Sequence, residues 1–114
     1  MTEYAPDAWV IVHIQIEDDS IHKVLGGWYG GYAGADSWRL NSGITRIEDD
    51  GDGRFRIHGN SGSVYLVHKD TQRTTMLMGS IIERMREEAD VQIVDIADLI
   101  DGSKQLHTNT SLPD

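Results

Sequence analysis

Residues 9–16 read Trp9-Val10-Ile11-Val12-His13-Ile14-Gln15-Ile16, and their alternation decides the fold class. Val10, Val12, Ile14 and Ile16 fall on one side of an extended chain, and Ile11, His13 and Gln15 on the other. A period of two is what a strand with one face in a core requires. Glu17-Asp18-Asp19-Ser20 then supplies turn chemistry, because short acids and serine satisfy neighbouring backbone groups. Residues 21–25 resume as a second strand, so the first element reads as a hairpin.

That hairpin runs into Gly26-Gly27-Trp28-Tyr29-Gly30-Gly31-Tyr32-Ala33-Gly34-Ala35-Asp36-Ser37-Trp38-Arg39-Leu40-Asn41-Ser42-Gly43. The stretch holds six of the twelve glycines, two of the three tryptophans and two of the four tyrosines. It is too rich in glycine for a helix and too aromatic for a slack linker. It reads as a shaped loop between strands and as the recognition surface, with Trp28, Tyr29, Tyr32 and Trp38 as contact rings. Two readings stand for the rings: they close one end of the core, Trp38 at least among them, or they anchor a partner. Asp36 and Arg39 are placed to pair and hold the loop's shape. Residues 37–40 read as a short strand with Trp38 and Leu40 on one side.

Further strands are expected at 44–48, 54–58 and 63–68, separated by Asp49-Asp50-Gly51-Asp52-Gly53 and Gly59-Asn60-Ser61-Gly62. After Arg73 the period changes. Leu77, Met78, Ile81, Ile82, Met85 and Ala89 share one helical stripe, with Thr74 or Thr75 as cap and Gly79 implying close contact with the sheet. Residues 91–96 return to a strand pattern, and 97–100 suit a last helical turn. The expected fold is therefore α+β: an antiparallel sheet of about five strands with one main C-terminal helix packed on it. The domain reading is a flexible N-terminus at 1–7, a single α+β domain at 8–101 and a polar C-terminal tail at 102–114.

Composition narrows the chemistry. There are no cysteines, which excludes disulfides, thiolate metal sites and cysteine nucleophiles. No apolar run approaches the roughly 20 residues that span a bilayer, and the acidic start is unlike a signal peptide, so a cytoplasmic protein without membrane contact is expected. The net charge of −9 repels phosphate backbones, so nucleic acid is not an expected partner unless Arg39, Arg46, Arg54 and Arg56 cluster. The acidic run at 49–53 lacks the later glutamate of a calcium loop and is followed by Arg54 and Arg56, so it reads as a hairpin turn. Among the histidines, His58 and His68 are the pair to examine, because their strands should be adjacent. No serine sits in a nucleophile elbow. Neither a catalytic residue, a metal nor a cofactor is expected.

The block Gly27-Trp28-Tyr29-Gly30-Gly31-Tyr32, then Asp36-Ser37-Trp38-Arg39-Leu40-Asn41-Ser42-Gly43-Ile44, with the later Gly59-Asn60-Ser61-Gly62-Ser63-Val64-Tyr65, resembles a family of small proteins of tailed bacteriophages. The motifs cover roughly residues 23–68. The resemblance implies a phage accessory protein at work in the host bacterial cytoplasm, and it carries no catalytic residues. By analogy, the leading expectation is a non-enzymatic binding module that inhibits or modulates a host protein or defence complex. The alternatives are a binder that sequesters a nucleotide or signal molecule, using Asn41, Ser42, Asn60 and Ser61, and a minor structural protein of the virion. A pocket between the two Asn-Ser-Gly turns, lined by Arg39 and aromatics, would favour the ligand binder. A flat exposed aromatic patch would favour the protein binder, and open strand edges make a homodimer an additional expectation.

Overall fold

The computed structural model describes residues 2–101. Among these residues, eight strands form two four-stranded sheets. The first sheet has the order β1 (Thr2–Tyr4), β7 (Ser63–His68), β6 (Arg54–Gly59), β5 (Ile44–Gly51). The second runs β4 (Ser37–Leu40), β3 (Asp19–Trp28), β2 (Ala8–Ile16), β8 (Asp90–Val94). Helix α1 is Met76–Met85 and α2 is Ile96–Asp101. The expected single sheet of about five strands with one helix is thus corrected to two sheets and two helices, within the α+β class.

The layering follows from the two faces of β2. Trp9 and Ile11 point at the first sheet and pack with Val24 against Phe55, Ile57, Tyr65 and Val67. Ala8, Val10 and Val12 point the other way and pack with Leu25 and Val91 under Met78 and Ile82 of α1. Residues 8–12 are therefore buried on both sides, where the alternation alone anticipates one buried face. Trp9 is wholly enclosed because its indole N–H donates to the His68 carbonyl at 2.9 Å. Satisfying that donor lets the large ring contribute its full burial, on the order of 3–5 kcal/mol against alanine. β8 stays paired with β2 as far as Gln15, and at the hairpin's end Ile16 and Ile21 are exposed.

Two glycines in β3 set the spacing between layers. A Cβ on Gly27 would lie 2.5 Å from the Met78 sulfur, and one on Gly26 would meet Pro6 and the Tyr65 ring. Residues 26–28 are therefore strand, packed closely on both faces. Only residues 29–36 form a loop between β3 and β4. Gly79, expected to touch the sheet, faces open space instead. The helix starts where Thr75 accepts from the Met78 N–H at 3.1 Å.

Part of the 1–7 segment is strand. Thr2, Glu3 and Tyr4 pair in parallel with Ser63, Val64 and Tyr65, and Asp7 donates from its backbone to the Gly27 carbonyl. The polar tail expected at 102–114 lies outside the described residues. No helix among the described residues is long and apolar enough to cross a membrane.

Candidate functional site

The site is built where β4 leaves the second sheet. At Asn41 the chain stops pairing as a strand, yet its N–H donates to the Val24 carbonyl (3.0 Å) and its side-chain Oδ1 accepts from the Val24 N–H (2.9 Å). Asparagine can do this because its amide reproduces a peptide group. The backbone donor fixes which side-chain atom is oxygen, so the opposite atom is the NH2. That Nδ2 is buried and has no partner among the described residues. Ser42 and Gly43 then turn the chain into the first sheet, with Gly43 at φ 141°.

The facing wall is the β6–β7 turn and the two strands beside it. The Asn60 N–H donates to the Gly43 carbonyl (2.9 Å) and the Ser61 N–H to Ser42 Oγ (3.0 Å), clasping the two Asn-Ser-Gly turns together. Gly59 leaves room there, since a Cβ would come within 3.0 Å of both Asn41 Nδ2 and Ser63 Oγ. Thr2 lies beside Ser63, and Tyr4 beside Tyr65, by parallel register. The Tyr65 ring is fully buried and its hydroxyl has no partner among the described residues. Burial pushes that phenol up to about 12, partly opposed by the nearby Arg39 charge, so the hydroxyl stays protonated and a donor at neutral pH. The Arg39 guanidinium lies 4.6 Å over the Tyr4 ring.

Together these groups line a cleft of about 530 Å³. Its ionisable lining is Lys23 and Arg39 with the two tyrosines, and no carboxylate among the described residues lines it, although the protein carries a net charge of −9. Glu3 lies between Thr2 and Tyr4 on β1 and so points to the opposite face. Residues carrying two orphaned donors, the Arg39 cation and several hydroxyls therefore border one concave place. Such a lining accepts a small molecule rich in acceptor oxygens.

Of the sequence-derived candidates, Arg39, Asn41, Ser42 and Ser61 meet at this cleft, and Asn60 serves the clasp. Asp36 does not pair with Arg39; its carboxylate accepts from the Gly30 N–H at 2.9 Å. Trp28 is the ring that closes the core, packing edge-on to Tyr4 and donating to the Ala5 carbonyl at 3.1 Å. Trp38, expected to be the core member, is 43% exposed, and Tyr29 is 49% exposed. Of Tyr32, only the backbone is described, at the start of a tight turn. Trp38 instead borders a second, apolar groove of about 520 Å³ with Ile16, Ile21, Ile81 and Met85.

Thr2, Tyr4, Lys23, Ser63 and Tyr65 are among the cleft residues that sequence reasoning missed. Along the chain Tyr65 reads only as one residue of the 63–68 strand, and nothing local marks its hydroxyl as unpartnered. His58 and His68 do sit on adjacent strands, but they oppose Val64 and Arg54 at different ends of the ladder. The histidines that meet are His13 and His22, cross-strand partners with ring centroids 4.7 Å apart. Arg46 and Arg56 are paired with Glu48 and Asp50. No group of three or more metal-ligating side chains converges among the described residues. Comparisons with protein-family models, with curated proteins and with solved structures find no match to this chain.

Proposed function

We propose that this chain is a binding protein that holds a small anionic molecule in the cleft between its two Asn-Ser-Gly turns. The observation that carries the reading is the pair of buried donors, Asn41 Nδ2 and Tyr65 OH, left without partners beside the same cleft as Arg39. A buried unsatisfied polar group costs about 1–3 kcal/mol, and a site that keeps two of them gains that energy back when a ligand supplies acceptors. In the setting of the phage resemblance, such a module sequesters a host metabolite or signal.

The test is thermal denaturation of the full chain with a panel of anions, followed by calorimetry on those that act. A ligand present at 100 times its Kd stabilises the folded state by about 2.7 kcal/mol. Arg39→Gln should abolish the effect. If no anion shifts the transition, or if Arg39→Gln responds like wild type, the reading fails.

A second reading, the protein-binding module that modulates a host protein, is favoured by the exposed Trp38 and the apolar groove beside it. Under that reading Trp38→Ser removes the activity and Arg39→Gln leaves it intact, the reverse of the outcome expected for the cleft.

A further inference from the structure

We infer, building on the anion-binding reading above, that the ligand is a phosphate monoester of a polyhydroxylated compound, a sugar or polyol phosphate. Its phosphate would sit at Arg39 and its hydroxyls at Ser63 and Asn41. The cleft is organised as two rungs. Arg39, Tyr4 and Tyr65 form the first, since Arg39 lies over the Tyr4 ring and Tyr4 is the register partner of Tyr65. Asn41, Ser63 and Thr2 form the second, since Asn41 Nδ2 and Ser63 Oγ flank the same point above Gly59 and Thr2 is the register partner of Ser63.

Each rung is two residues from the other along its strand, Arg39 to Asn41 and Tyr65 to Ser63, which separates them by about 7 Å at 3.3 Å per residue. The first rung carries a guanidinium and a phenol donor. A guanidinium forks onto a phosphate monoester, which carries a charge of about −1.5 to −2 at pH 7 and so gains more from one cation than a carboxylate does. The second rung is uncharged and made of an amide and hydroxyls, groups that exchange hydrogen bonds with ligand hydroxyls in both directions. Leu40 is the one aliphatic side chain on the lining among the described residues, so the cleft offers little to a purely apolar ligand body.

The experiment is calorimetric titration of the full chain with ribose 5-phosphate, glucose 6-phosphate, the free sugars, inorganic phosphate and adenosine 5′-monophosphate. A sugar phosphate should bind at least tenfold tighter than inorganic phosphate and than its own free sugar. Ser63→Ala should weaken the sugar phosphate several-fold and leave inorganic phosphate unchanged. Arg39→Gln should weaken both phosphates tenfold or more. Lowering the pH from 7.5 to 5.5 should weaken binding about fourfold, as the ester takes up its second proton near pH 6.

Inorganic phosphate binding as tightly as the sugar phosphates, with Ser63→Ala silent, would overturn this inference and leave the anion reading standing. A free sugar equal to its phosphate would overturn it at the first rung. Adenosine monophosphate tighter than every sugar phosphate by tenfold would assign the second rung to a base and overturn it too. Silence from every compound would overturn this inference, and silence from the whole anion panel as well would overturn the anion reading.

Discussion

Replacing Tyr65 by phenylalanine isolates the central physical claim, because it deletes one oxygen and keeps the ring. In the ligand-free protein that oxygen is enclosed without a partner. Its burial opposes folding by about 1–3 kcal/mol. The oxygen's own dispersion contacts return only a fraction of this, at about 0.1–0.2 kcal/mol each. The expected balance is a stabilisation of about 1 kcal/mol, or roughly 4 °C in Tm for a domain of this size. Urea denaturation followed by circular dichroism should show the midpoint rising at constant slope. The same variant should bind the anion about tenfold or more weakly, because a hydrogen bond to a charged group contributes about 1.5–3 kcal/mol. Stability and binding should therefore move in opposite directions. A Tyr65→Phe protein destabilised by 1 kcal/mol or so would refute the reasoning, since the hydroxyl would then be engaged in the free protein and not held for a ligand.

Two further expectations concern the layers and their response to pH. Gly27→Ala should destabilise by about 1–3 kcal/mol, since its Cβ is driven into the buried Met78 sulfur, whereas Gly79→Ala should stabilise by up to about 1 kcal/mol, since its Cβ meets open space in a helix; equal effects in denaturant melts would refute the proposed β3–α1 contact. His22 has its pKa lowered by burial first and by the His13 charge second. Above pH 6.5 both the folded and the unfolded His22 are neutral and nothing is lost. Below 6.5 the unfolded chain takes up the proton more readily, so stability falls until the folded pKa is reached. His22→Gln should lose less stability than wild type between pH 7.5 and 5, and a parallel loss in the two proteins would show that this group is not the source.

The sequence by itself determined what depends on neighbours along the chain. Alternation at 9–16, 54–58 and 63–68 specifies strands. Asp52-Gly53 closes a hairpin, with both residues at positive φ. The stripe from Leu77 to Met85 and a threonine cap at 74 or 75 specify α1, and the structure selects Thr75. These signals are local because backbone geometry repeats every two or 3.6 residues. The partition of eight strands into two sheets was decided only in three dimensions. A period of two says which residues share a face, but not whether one layer or two will cover the strand, and Trp9 to Val12 turned out to be covered on both sides. Gly26 and Gly27 read as loop residues because a missing side chain looks the same in a turn as in a close packing contact. The cleft was the least legible part. It joins Tyr4, Arg39, Asn41 and Tyr65 from three separate regions of the chain. Whether a buried hydroxyl or amide has a partner depends on what the fold brings beside it, and no short-range pattern records that.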